Sequence, residues 1–223
     1  MSRALNRTLF GFALLGAAVL GAYLYEHLAG AGRAAPGPTL ALHPPAAAAA
    51  AMVPDAVPAH RPQFALADLE GRVHSVSEWD GKSLVVNFWA TWCAPCRHEI
   101  PLLNHIQQEY GPKGFEVVGI AVDVAKDVKA FTAEVPLQYP LLVGEQDGID
   151  AAQAFGVNAL AFPFTAFTDA KGRMITLHLG ELHEATARAI LGIISRVNAG
   201  ELTPDGAREE VRRAVATLDR PAS

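Results

Sequence analysis

The feature that most constrains the fold of this chain is an apolar segment that leads directly into a helix beginning with two cysteines. Residues 83–89 form a nearly continuous apolar run, which is typical of a central strand covered on both faces. The motif WCAPC follows within three residues and contains Cys93 and Cys96, the two cysteines of the chain. A helix is predicted over residues 93–110, ended by Gly111 and Pro112. A buried strand that passes at once into a helix is typical of a layered α/β domain.

The rest of the segment pattern agrees with this class. Strands and helices alternate, which indicates a central mixed sheet flanked by helices. Strands are predicted at 64–69, 73–76, 83–89, 115–122, 141–143, 165–168 and 174–179, and helices at 93–110, 127–134, 149–155 and 182–198.

The N-terminal part is predicted to be a membrane anchor. Residues 9–25 carry no charge, and as a helix they would reach roughly 25 Å, at the short end of a membrane span. Arg3 and Arg7 precede this segment, which favours a cytoplasmic N-terminus and places the rest of the chain outside the membrane. We therefore expect a single-pass inner-membrane protein with its catalytic domain in the periplasm. The alternative is a signal peptide cleaved near residues 29–31.

Four regions follow from these patterns. Residues 1–28 are predicted to be the cytoplasmic N-terminus and transmembrane signal-anchor, 29–60 an Ala/Pro-rich tether, 61–200 the folded domain and 201–223 a helical tail. The tail carries one apolar stripe, which indicates a helix that packs on the domain or docks a partner. The stripe consists of Ala207, Val211, Ala214, Val215 and Leu218.

The cysteine pair has the pattern of a redox site. The unpaired N–H groups and the dipole at a helix N-terminus stabilise a thiolate, so Cys93 should be the more reactive and the more exposed thiol. Pro95 fits the first helical turn, where its missing N–H costs nothing. A zinc site and an inert disulfide are the alternatives. No second cysteine pair supplies the ligands that zinc usually needs, and a loop this short gains little from closure.

Residues 85–101, with the sequence VVNFWATWCAPCRHEIP, resemble the membrane-anchored thioredoxin-like reductases typified by TlpA, ResA and CcmG. The resemblance extends more loosely from about residue 63 to 198. It implies a thioredoxin-like fold, an attacking thiol at Cys93, a resolving thiol at Cys96 and a cis-proline at Pro163 that faces the disulfide. The family usually has Thr directly after this proline, whereas here Phe164 intervenes.

The resemblance also singles out Glu99, which matches the acidic residue that the family carries three positions after its second cysteine. Such a carboxylate would raise the thiol pKa and could relay a proton, and the alternative is a solvated acid on the helix surface. Ordinary thioredoxins carry a buried Asp where this chain has Asn87, and an amide does not titrate. Trp92 is expected to shield the thiols, and His98 and His105 to be solvated.

The resulting hypothesis is an extracytoplasmic protein-disulfide reductase that needs no cofactor and no metal. Family likeness implies an oxidised client protein in cytochrome c maturation or copper-centre assembly, and a membrane thiol donor of the DsbD/CcdA type. A copper-binding module that uses both thiolates is the main alternative, because soft thiolates suit Cu(I). A peroxidase is a third hypothesis. Nucleic-acid binding is not expected, since the formal charge is −5 and no basic stripe occurs.

Overall fold

The computed structural model describes residues 57–157 and 162–218. Seven strands, two short 3-10 helices and five α-helices follow one another in these ranges. The strands are β1 (Ala65–Ala67), β2 (Val73–Ser75), β3 (Ser83–Trp89), β4 (Phe115–Ala121), β5 (Leu141–Val143), β6 (Phe164–Thr168) and β7 (Met174–Leu179). The α-helices are α1 (Ala94–Tyr110), α2 (Ala125–Glu134), α3 (Gln146–Ala154), α4 (Glu184–Asn198) and α5 (Pro204–Leu218), and the 3-10 helices are Val76–Trp79 and Gly111–Lys113.

The strands form one mixed sheet in the order β2-β1-β5-β4-β3-β6-β7. The three neighbours β3, β4 and β5 run parallel, and β6 pairs antiparallel with β3. Because β3 has strand partners on both edges and helices on both faces, all seven of its residues are buried. Because β3 is central, its C-terminal end is held firmly in place. The cysteine motif begins shortly after that end.

Alternate side chains of β3 enter two different layers of the core. Leu84, Val86 and Phe88 pack in a cluster with residues of α3, whereas Val85 packs with residues of α1 and α4. This alternation is the period of two that a strand imposes. Asn87 lies on the same face as Val85, so the one amide of the strand points toward α1.

The thioredoxin-like α/β architecture predicted from the sequence is confirmed, and the element ends differ in small ways. The predicted start of α4 at residue 182 is wrong. The helix begins at Glu184, after the extended residue His183, and Leu182 lies in the preceding loop. The backbone N–H of Leu182 donates to Glu99 instead. The helices α2 and α3 begin two or three residues earlier than predicted, because their first turns are largely polar and carry no apolar pattern.

Helix α5 packs on the domain, as the first of the two interpretations of the tail expected. Ala207 and Val211 are buried in the same core cluster as residues of α4, and Leu218 is exposed. None of the helices within 57–157 and 162–218 is long and apolar enough to cross a membrane. The predicted anchor and most of the tether lie outside the described residues.

Candidate active site

The two cysteines form a disulfide at the N-terminus of α1. Cys93 is the N-cap residue, with an extended backbone, and the N–H of Cys96 points at its sulfur over 3.3 Å. Cys93 is 6% exposed and Cys96 is fully buried, which agrees with the expectation that Cys93 is the more accessible sulfur. Pro95 lies in the first helical turn, where no N–H bond is lost.

The loop before the cysteines is held by a side chain from the neighbouring strand. Asp123, two residues after β4, accepts hydrogen bonds from the backbone N–H and the hydroxyl of Thr91, at 2.9 and 2.6 Å. Trp92 comes next and is 64% exposed, with its ring 6.2 Å from that of Phe162. Trp92 therefore forms part of the surface beside the disulfide rather than part of the core.

The peptide bond between Phe162 and Pro163 is cis, as the resemblance implied. Phe162 packs against the core cluster that contains both cysteines. Phe164, the residue that departs from the family pattern, is buried and stacks on Phe88 with ring centroids 4.4 Å apart. The side chain of Phe164 therefore fills space in the core.

Glu99 is the buried acid of the site. It is 1% exposed, so the alternative of a solvated surface acid is wrong. Its Oε1 accepts a hydrogen bond from Asn87 Nδ2 and its Oε2 accepts one from the backbone N–H of Leu182, both at 2.7 Å. Both donors are neutral, and no cationic side chain of the described residues lies within 4 Å of the carboxylate.

This environment changes the proton affinity of Glu99. Burial raises the pKa of Glu99 from an ordinary value of 4.5 to about 7, against the opposing effect of the Leu182 and Asn87 hydrogen bonds. The negative charge of Glu181 also contributes to the increase. Because Glu99 lies three residues after Cys96, the two buried side chains share a face of α1. The site thus combines a dithiol pair with an acid that can hold or release a proton near neutral pH.

Sequence reasoning missed three groups that build this site. Asn87 was considered only as a group that does not titrate, yet its amide donates to both Glu99 and the hydroxyl of Thr165, at 2.7 and 3.0 Å. The one amide in a largely apolar strand was the available signal. The N–H of Leu182 and the carboxylate of Asp123 carried no local signal, because each acts on a residue distant in sequence.

The two histidines of α1 lie outside the redox pair, on the helix surface. The side chain of His98 is 68% exposed and that of His105 is 53% exposed, as expected for solvated residues. Their ring nitrogens lie 3.6 Å from Glu181 and 3.2 Å from Glu109, respectively.

Comparison with known proteins assigns the class. A sequence model of the Redoxin family matches residues 50–191. The thiol-disulfide oxidoreductase ResA of Geobacillus thermodenitrificans is 34% identical over 128 residues, which cover 57% of this chain and 71% of the relative. The thioredoxin-like protein YneN of Bacillus subtilis is 36% identical over 125 residues, covering 54% and 70%.

A solved structure supports the same assignment. A Chlorobium tepidum protein described as a thiol:disulfide interchange protein DsbE aligns with a TM-score of 0.55 and 30% identity, covering 60% of this chain and 95% of that one. The chain belongs to the Redoxin family, and its TlpA/ResA/CcmG-like character is confirmed. It is a thiol-disulfide oxidoreductase whose redox group is the Cys93–Cys96 pair, and its client is a protein that contains a disulfide.

Proposed function

We propose that this oxidoreductase works as a reductase of specific partner-protein disulfides on the periplasmic side of the inner membrane. The observation that carries the proposal is the buried, cation-free Glu99 on the same helix face as Cys96. A negative charge beside the dithiol opposes thiolate formation. Since a stabilised reduced form makes a dithiol pair oxidising, an environment that opposes the thiolate favours a reducing pair.

The reaction assigns one role to each group. The Cys93 thiolate attacks one sulfur of the client disulfide, which forms a mixed disulfide and releases a client thiolate that takes a proton. Cys96 then passes its proton to the Glu99 carboxylate and attacks the Cys93 sulfur, which releases the second client thiolate. The client disulfide is reduced by two electrons, and Cys93 and Cys96 are oxidised to their disulfide. Glu99 finally returns its proton to solvent.

The partners and location in this proposal come from the family likeness and the sequence pattern. The client carries a cysteine pair of an apocytochrome c or of a copper-centre assembly protein. A membrane thiol donor of the DsbD/CcdA type restores the dithiol. The uncharged segment 9–25 anchors the protein, and the tether lets the domain reach clients near the membrane. Trp92, which is exposed beside Cys93, contributes to the surface that receives the client, and the family likeness places Pro163 against the disulfide.

The test separates the roles of the two cysteines. We expect Cys96→Ala, expressed as the full chain in its membrane, to accumulate a mixed disulfide with its client, because attack remains and resolution is removed. Cys93→Ala is the matched control and should trap little, since Cys96 is fully buried. Non-reducing gels with and without reductant measure the adducts.

Equal trapping by the two variants would contradict the assignment of attacking and resolving roles. No trapping by either, together with retention of one Cu(I) per chain and no reduction of insulin, would replace the reductase by the copper-binding alternative. A reduction potential of the Cys93–Cys96 pair well above that of glutathione would reverse the proposed direction of electron flow.

A further inference from the structure

A buried acid that carries protons must exchange them with solvent, and a cavity beside Glu99 offers a route. A surface cavity of about 410 Å³ reaches Glu99 between α1 and the loop that precedes α4. Neither cysteine lines this cavity. The cavity therefore reaches the position of Glu99 from a side that the disulfide does not line.

Glu181 lies at this cavity and has an unusual position. Its side chain is 31% exposed, and it directly precedes Leu182, whose N–H holds the Glu99 carboxylate. Among residues 57–157 and 162–218, its one ion-pair partner within 4 Å is the exposed His98, at 3.6 Å. The charge of Glu181 is therefore weakly compensated by its neighbours among the described residues.

The loop that carries Glu181 is fixed in place. The N–H of Gly180 donates to the carbonyl of Pro163 at 2.8 Å, and the backbone carbonyl of Glu181 lies 3.1 Å from Nε2 of His178. The side chain of Leu182 is buried. One loop therefore links the cis-proline Pro163, the buried acid and the mouth of the cavity.

We propose that this cavity is the route by which Glu99 exchanges protons with solvent, and that Glu181 is a positioning residue that sets the pH range of the resolving step. The inference rests on the proposed proton transfer from Cys96 to Glu99. After each resolving attack, the proton on Glu99 leaves through the cavity to water, which restores the carboxylate. No further oxidant or reductant takes part.

Other titratable groups border the same region, and their charges are balanced differently. On α1, His105 lies 3.2 Å from Glu109 and 3.3 Å from Arg188. Glu184, in the first turn of α4, is paired with Arg188 at 2.9 Å. His183 lines the cavity from the loop, and Tyr139 is buried on the core side, where Glu99 helps to raise its pKa. Glu181 is the acid of this group whose charge raises the pKa of Glu99.

The experiment follows the resolving step alone. The fully reduced protein is mixed with 5,5′-dithiobis(2-nitrobenzoate). Cys93 releases the first nitrothiobenzoate and forms a mixed disulfide, and Cys96 releases the second. The rate of the second release is measured against pH for the wild type, Glu181→Gln and Glu184→Gln. Glu184→Gln is the matched control, because it removes a charge from the same rim that Arg188 already neutralises.

We expect Glu181→Gln to move the acid limb of this rate profile to lower pH by a fraction of a pH unit. Removing the neighbouring negative charge lowers the pKa of Glu99, so the carboxylate that accepts the proton is present at lower pH. Glu184→Gln should leave the limb in place. In the Glu99→Gln background the limb should be absent, and Glu181→Gln should then cause no shift.

Three results would overturn parts of this scheme separately. An unmoved limb in Glu181→Gln, with the limb absent in Glu99→Gln, would refute the role of Glu181 and leave the proposed function standing. An unchanged limb in Glu99→Gln would refute the proton transfer itself. A shift by Glu181→Gln in the Glu99→Gln background would mean that Glu181 acts directly on the thiols.

Discussion

Two carboxylate sites in this molecule have opposite electrostatic environments. Beneath the disulfide, Glu99 is buried and held by neutral donors, and burial raises the pKa of Glu99 to about 7. The second site is the hairpin cluster, which consists of Asp68, His74 and Glu78 beside strands β1 and β2. The ring nitrogens of His74 lie 3.1 Å from an oxygen of Asp68 and 2.8 Å from an oxygen of Glu78. There the hydrogen bond from His74 lowers the pKa of Glu78, and the two acids raise the pKa of His74.

The difference shows how one chemical group serves two purposes. A buried carboxylate without a cation keeps its proton to higher pH and can transfer it, whereas a carboxylate beside a cation stays charged and holds structure. The hairpin cluster lies at the β2 edge of the sheet, where β2 has one strand neighbour in the part of the chain that the structure describes. Glu99, next to β3, is suited to proton transfer. The charged cluster at the β2 edge instead stabilises a turn.

The largest effect that tests this comparison is the contribution of Glu99 to the pH dependence of the free energy of unfolding. Between the ordinary value of 4.5 and about 7, the folded protein binds a proton that the unfolded chain releases. The free energy of unfolding of the oxidised protein should therefore fall by roughly 3 kcal/mol as pH rises through this window. Glu99→Gln should remove that pH dependence, which urea unfolding at several pH values would measure.

Glu78→Gln is the contrasting variant. Because the pKa of Glu78 is lowered in the folded state, its contribution is present above the unfolded value and disappears on acidification. The penalty of Glu78→Gln should therefore diminish in acid. If both variants changed the pH dependence with the same sign, the two sites would not differ as proposed.

Sequence reasoning predicted the fold well and the site in part. The strand Ser83–Trp89 and the helix after Cys93 were predictable because apolar runs, a cysteine motif and breaker residues are local signals. The burial of Glu99 was not, because it depends on Asn87 and on Leu182, which is 83 residues away along the chain. The hairpin cluster was missed because His74, Asp68 and Glu78 read as ordinary surface residues.

A second, smaller effect on stability is expected at Tyr139, a buried residue on which the charge of Glu99 acts. Its hydroxyl is buried and has no hydrogen-bond partner among residues 57–157 and 162–218, and burial together with the charge of Glu99 raises its pKa. Leaving a buried hydroxyl unpaired costs on the order of 1 kcal/mol, so Tyr139→Phe should stabilise the protein by about that amount. Urea unfolding measures the change. A loss of stability would show that the hydroxyl is not an unpaired buried group.

The smallest expected effect concerns His74, and its sign follows from its raised pKa. Hydrogen bonds from His74 to Glu78 and Asp68 favour the charged ring, so its contribution is fully present below about 6.5. The contribution is lost as pH rises through the higher folded value. We expect His74→Gln to destabilise the protein in mildly acidic solution and much less in mildly alkaline solution. Added salt should reduce the difference because the cluster is partly exposed.

The matched control is His60→Gln, which changes an exposed histidine that forms no ion pair among the described residues. It removes an imidazole without removing an ion pair, so a loss of stability common to both variants would not come from the hairpin cluster. Neither variant should alter the rate at which Cys96 resolves a mixed disulfide, because the hairpin cluster does not line the cavity at Glu99. An equal loss at both pH values would mean that His74 acts as a neutral hydrogen-bonding group. In that case the presence of a cation beside Glu78 and its absence beside Glu99 would not explain why we expect proton transfer at Glu99 alone.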